Sequence, residues 1–198
     1  QFIAAIHDIG KGAPSFIVQS TKFADKVKQT KLSIKAIVGK DPMRSEYRHE
    51  LVGYAAVIEW FCSQGFPVEP GTFAYGVACV VAGHHGKSLT DDKQALVDPS
   101  QRGKSFRRET FMGDKAWTAI RNELLDWVSD TLHAQPILYT LRNRSLRRRT
   151  QILLTSMVVM ADWIASDSRL FPLNQGPVDE QVFDARRRAD KAWRMLRI

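Results

Sequence analysis

Two dipeptides, His7-Asp8 and His84-His85, bring imidazole and carboxylate groups together in a way that suits divalent metal chemistry. Neutral imidazole nitrogens and carboxylate oxygens both ligate first-row transition ions, and a mixed set keeps the ion Lewis-acidic. Of the five histidines in the chain, His7, His49, His84 and His85 lie in segments of metal-binding character, and His133 stands apart. Adjacent residues on a helix point about 100° apart, so His7 and Asp8 can serve two ions, with the Asp8 carboxylate as the bridge. Lys11 follows one turn later, where its ammonium can meet a phosphate oxygen held over the metals. A lone His-Asp dipeptide would mean little, and the remaining matches give it weight.

His49, in Tyr47-Arg48-His49-Glu50, opens a long helical segment. His84 and His85 end an apolar one, between Gly83 and Gly86, whose small size lets backbone approach a ligand. Asp162 lies in Met160-Ala161-Asp162-Trp163, and helical spacing groups it with Thr155, Val158, Val159 and Ser166. A carboxylate on a largely apolar stripe is costly unless paired or bound to metal. Ser166, one turn on, is either a hydrogen-bond donor to substrate phosphate or a plain surface serine.

These groups need rigid carriers, and helical periodicity dominates the chain. Residues from about 45 to 64 place Leu51, Ala55, Ile58 and Cys62 on one stripe. Residues from about 72 to 85 are apolar almost throughout, which predicts a buried helix. Further helices are expected at about 115 to 133, 145 to 168 and 179 to 196, each ended by proline, glycine or asparagine clusters. With no alternating strand pattern, the expected fold class is all-α, with a metal centre in the core. The polar segment from Gly86 to Lys115 reads as a long loop beside that centre, either a lid that guides substrate or a plain insertion.

A chain of 198 residues fits a single domain, and no apolar run is long enough to span a bilayer. Cys62 and Cys79 form no C-x-x-C pair and read as reduced core cysteines, and the absence of a signal-peptide pattern makes the cytoplasm the expected location. The formal charge of +8 favours a polyanionic partner, since lysine and arginine release counterions on meeting phosphates. The densest basic runs are Arg142 to Arg149 and Arg186 to Arg188. They can track a nucleic-acid backbone or pack on a neighbouring domain, and basic clusters are as often simply solvated.

Taken in order, His7-Asp8-x-Gly10-Lys11, His49, Gly83-His84-His85-Gly86 and Ala161-Asp162-Trp163 resemble the HD superfamily of metal-dependent phosphohydrolases. They are most similar to the HD nuclease domain of the type I CRISPR-associated helicase-nuclease. The resemblance covers residues 7 to 166 and implies a helical HD bundle with one or two divalent ions, of Mn, Ni, Fe, Co or Mg. It implies one ion on Asp8, His49, His84 and His85, and another on His7, Asp8, Asp162 and a further histidine from a preceding helix. Only six residues precede His7 and the first is glutamine, so the expectation is a single domain over 1–198 that lacks its N-terminal segment. Residues from about 179 to 198 then form a final helix or the start of a linker to a helicase.

The function implied is that of a DNase, a phosphodiesterase that degrades single-stranded DNA in type I CRISPR interference. Asp8 and Lys11 would be catalytic, and Ser166, Lys87, Arg107 and Arg108 would contact substrate. Its implied partners are single-stranded DNA, a superfamily 2 helicase, fused or separate, and a CRISPR RNA-guided effector complex that opens the target. Two alternatives stand beside it. One is an HD phosphohydrolase of nucleotides or cyclic dinucleotides, and the other is a non-catalytic interaction module.

Overall fold

The computed structural model describes residues 1–98, 105–171 and 178–196, and among these every regular element is helical. The centre of the fold is the pair α4 (His49–Ser63) and α5 (Phe73–Ala82). Helix α5 is buried from Phe73 to Ala82 on nearly every side, as its unbroken apolar sequence requires, and the Thr72 hydroxyl caps its first turn by accepting from the Tyr75 amide. Helix α4 is also buried on most of its circumference, with Leu51, Val52, Val57, Trp60 and Phe61 all in the core. The single-stripe expectation is therefore too narrow, and one of its members is misplaced: Cys62 is exposed and Cys79 half-buried, both as free thiols. Cys62 falls on the solvent side because the core reaches α4 through Trp60 and Phe61 instead.

Around this pair lie α1 (Phe2–Ile6), α2 (Pro14–Ile17) and α3 (Thr21–Lys28) on the N-terminal side, with a short 3-10 turn over Ile9–Lys11. That turn packs directly on α4. A Cβ at Gly10 would collide with the His49 carbonyl oxygen and the Gly53 nitrogen, so only glycine allows this approach. A second 3-10 turn, Pro42–Glu46, leads into α4 and is initiated by Asp41, whose side chain accepts from the Met43 amide.

The polar segment after His85 carries two helices, α6 (Asp91–Val97) and α7 (Ser105–Met112). Tyrosines of the core hold α6 in place. Tyr54 and Tyr75 hydroxyls both donate to Gln94 Oε1, at 3.3 and 3.1 Å, and Tyr47 donates to the Leu96 carbonyl. Most of this stretch is thus structured, although Pro99 and Gly103 lie outside the described residues.

Helix α8 (Lys115–Thr131) begins at Asp114, whose carboxylate accepts from the Ala116 and Trp117 amides. It carries Arg121, which is 1% exposed and donates to the carbonyls of Gly12 and Met112 at 2.9 and 2.7 Å. Burial brings its pKa down to about 10, so it remains charged at neutral pH and ties the end of the first 3-10 turn to α8. Next come α9 (Gln135–Leu141), which the sequence reading did not expect, and α10 (Arg148–Ser166) and α11 (Val178–Leu196), close to the expected boundaries, with residues 197–198 outside the described residues. His133 occupies the α8–α9 turn at a positive φ of 49°. No helix among the described residues is long and apolar enough to cross a membrane.

Candidate metal centre

Four elements converge on one point: the C-terminus of α1, the first residue of α4, the turn after α5 and the inner face of α10. His7 caps α1, and Asp8 starts the 3-10 turn. His49 is the first residue of α4, which points its ring out of the helix end. His84 and His85 follow Gly83, the C-cap of α5, in a turn closed by the Gly86 amide donating to the Gly83 carbonyl. Gly86 sits at φ +79°, a conformation that an L side chain would strain. Helix α10 crosses α5 where the Thr155 methyl approaches Gly83, and this brings Asp162 beside His7.

The Asp8 carboxylate divides its two oxygens between two groups. Oδ1 lies 3.5 Å from His49 Nε2 and 3.7 Å from His84 Nε2. Oδ2 lies 3.4 Å from His7 Nε2 and accepts from Lys11 Nζ at 2.5 Å. On the first side, His49 Nε2 is 3.0 Å from His85 Nε2 and 3.3 Å from His84 Nε2. On the second, His7 Nε2 is also 3.4 Å from Asp162 Oδ1. Two sets of potential ligand atoms result, His49, His84 and His85, and His7, Asp8 and His84, with His84 common to both.

The histidine rings are held with Nε2 inward. His7 Nδ1 is 2.7 Å from the Ala4 carbonyl and His84 Nδ1 is 2.5 Å from the Val81 carbonyl, so in each ring Nδ1–H donates and Nε2 keeps its lone pair. His49 Nδ1 faces Glu50 Oε2 at 3.3 Å. Glu50 is buried and its other oxygen meets Arg48 Nη2 at 2.7 Å. Glu50 Oε2 makes no hydrogen bond, so it acts on His49 through its charge, which pulls the His49 pKa upward against burial.

Electrostatics favour neutral imidazoles at His49 and His84. Burial lowers the His49 pKa to about 4, with Glu50 and Asp8 pulling the other way, and burial likewise lowers that of His84. Burial also opposes charge on Asp8, but His7 and Lys11 outweigh it and hold the carboxyl well below the usual carboxylate range. The Asp8 carboxylate, 3.4 Å away, raises the pKa of His7 against the effect of burial. His7 Nε2 is nevertheless buried without a hydrogen-bond partner. An orphaned lone pair next to two carboxylates, and three imidazole nitrogens in mutual contact, are the arrangement a divalent cation satisfies. The residues present fit a metal.

The sequence-predicted residues divide into those at the cluster and those away from it. His7, Asp8, Lys11, His49, His84, His85 and Asp162 come together. Ser166 joins them indirectly, donating to Asp162 Oδ1 at 3.3 Å. Lys87 is exposed just beyond His85 and lines a cavity that His85 also lines. Arg107 is exposed on α7, and Arg108 is ion-paired with Glu59 of α4. Two residues that sequence reasoning passed over belong to the site. Glu50 supports His49, and Phe16 sets its ring edge-on to His49 at 5.6 Å, with Lys11 Nζ 5.7 Å from its centroid. Adjacency to His49 was a signal for Glu50, but no local pattern marks Phe16.

The family described as "Cas3, HD domain" matches residues 1–171 of the chain. The chain is also similar to the "CRISPR-associated nuclease/helicase Cas3" of Streptococcus thermophilus, with 23% identity over 187 residues. That match covers 87% of this chain and 18% of the relative, so the chain spans less than a fifth of the length of that protein. No solved structure matches.

Proposed function

Because the chain belongs to the Cas3 HD-domain family, we propose that it is a metal-dependent phosphodiesterase cleaving single-stranded DNA. The observation that carries this reading is the Asp8 carboxylate, which turns one oxygen to His49 and His84 and the other to His7. A carboxylate placed between two sets of potential ligand atoms would let Asp8 contribute to both ions of a two-ion phosphodiester hydrolysis.

Asp8, His49, His84 and His85 would hold one divalent ion, and His7, Asp8 and Asp162 would contribute to a second. When bound, such ions supply Lewis acidity, both to activate water and to stabilise charge on the phosphate. The chain's own residues do the rest. The Ala4 and Val81 carbonyls hold His7 and His84 in the ligand tautomer, and Glu50 places a negative charge behind His49. Lys11 holds Asp8 ionised and is the nearest ammonium to the cluster, placed to neutralise charge developing on the phosphate. Ser166 steadies Asp162. In this reading a superfamily 2 helicase, fused or separate, feeds the strand to the centre after an RNA-guided effector complex has opened the target DNA, in the cytoplasm of the host cell.

The test is cleavage of a single-stranded oligodeoxynucleotide with manganese, nickel or iron, comparing the protein with Asp8→Ala. Metal-dependent cleavage by the former, lost in the latter, is the expected outcome. Equal cleavage by both would remove the assigned centre.

A further inference from the structure

We infer that the cavity beside His85 is a nucleoside subsite, which holds the sugar and base attached to the scissile phosphate. The inference rests on the nuclease reading above. The cavity has a volume of about 400 Å³ and opens where the α4 N-terminus, the turn after α5 and the start of α6 meet. Its floor is aliphatic, made by Leu51, Ala82 and Leu89, and His85 forms part of its wall. Whatever occupies it therefore touches a member of the three-histidine cluster. Small-molecule sites range from roughly 300 to 1,000 Å³, so this one suits a single nucleoside better than a folded dinucleotide.

Charge narrows the ligand further. Arg48, Lys87 and Lys93 line the cavity together with Glu46 and Glu50. Arg48 meets Glu50, and Lys93 is ion-paired with Glu46. Among the described residues Lys87 makes no ion pair, and it is exposed at the rim. The cavity thus presents one unmatched positive charge above an apolar floor. A phosphodiester chain brings one negative charge per nucleotide, which Lys87 can match. A nucleoside triphosphate would bring several against this one unmatched charge, so charge disfavours a triphosphate substrate here.

Recognition of the base is by shape. No phenylalanine, tyrosine or tryptophan lines the cavity, and the one ring present, the small imidazole of His85, offers a face to any base alike. Ser88 is exposed at the rim, and Thr90 stands at the N-cap of α6 without capping it through its hydroxyl. Both hydroxyls are placed to bond a sugar or a phosphate oxygen, groups that every nucleotide shares. The subsite therefore accepts any base, and cleavage should show little sequence preference.

Ser88→Trp tests this by filling the cavity from an exposed position. Wild type and variant are loaded with manganese, their manganese content is measured, and kinetics are recorded on a single-stranded oligodeoxynucleotide. With full manganese content, Ser88→Trp should raise KM about tenfold or more and change kcat by less than about twofold, the pattern of lost substrate binding. Lys87→Ala should raise KM and flatten its dependence on salt. If Ser88→Trp fails to fold or to hold manganese, Lys87→Ala decides alone. Variants that match wild type in KM and salt dependence would overturn the subsite and leave the nuclease reading intact. A wild type that binds manganese but cleaves no single-stranded DNA would overturn both.

Discussion

The two halves of the cluster are mounted very differently. His49, His84 and His85 stand on the ends of α4 and α5, the most buried helices of the fold, and His84 itself is 2% exposed. His7 and Asp8 follow a helix of five residues, and Asp162 comes from α10, of which only Val158 is buried. The outer side of α10 carries Ile152, Leu153, Met157, Met160 and Trp163, all exposed. Side chains fixed by a packed core lose little further entropy on binding an ion, whereas those on a lightly packed helix must be ordered first. His49 and His84 are thus the preorganised members of the cluster, with His85 exposed beside them, and the Asp162 half is the more easily displaced. Asp8 and His84 couple them.

Removing the coupling should have the largest effect. His84→Ala takes a ligand from both halves, and we expect it to lower metal-dependent cleavage by about a hundredfold or more, the upper end of what even supporting residues cost. Asp162→Ala, by contrast, should spare the three-histidine half and leave manganese bound there, as metal analysis would record. If the two variants lost manganese equally, the halves would not differ as described.

Gly10→Ala strikes the backbone contact rather than a ligand. Its methyl would meet the His49 carbonyl and push the first 3-10 turn from α4. A destabilisation of about 1–3 kcal/mol is expected from such overpacking, read by thermal or denaturant unfolding. Metal binding should suffer at Asp8 before it suffers at His84 and His85. Glu50→Gln is gentler, since it keeps the shape behind His49 and removes the charge, and should weaken manganese affinity about tenfold by calorimetry. A variant with unchanged affinity would make Glu50 merely a helix-terminal acid.

The smallest effect concerns pH. A histidine in the unfolded chain titrates near 6.5, whereas His49 in the fold titrates at about 4 and His84 is also lowered by burial. As pH falls below about 6.5 the unfolded chain takes up these protons first, so the metal-free protein should lose stability between about pH 6.5 and 4. His7 acts in the opposite sense, because Asp8 raises its pKa and its contribution is lost as pH rises through the folded value. Two histidines oppose one, so a modest net fall in melting temperature on acidification is expected, and a rise would contradict these assignments.

Much of this centre is legible in the sequence because its members carry their own local signals. His84-His85 follows an unmistakably buried segment, His49 opens a helix, and Asp162 is a carboxylate on an apolar inner face. The features that escape are those made by distant partners. Nothing near Arg121 says that it will be buried against the Gly12 carbonyl, 109 residues away. The segment from Gly86 to Lys115 is polar enough to read as a loop, yet three tyrosines of the core give α6 an anchorage its own sequence does not reveal. Cys62 was misplaced for a similar reason: a helix buried on most sides has no single apolar stripe to read. The unusual feature of α10, apolar residues outside as well as inside, is visible in the sequence only as a hydrophobic helix, and the structure is needed to say which residues are left uncovered.

On this reading the imidazoles of His49, His84 and His85 together bind a divalent ion. Anomalous diffraction from crystals soaked in manganese tests it most directly. A peak on the order of 2 Å from each of the three Nε2 atoms, the usual metal–imidazole distance, is expected. Manganese bound elsewhere, with these three nitrogens left in contact with one another, would contradict it.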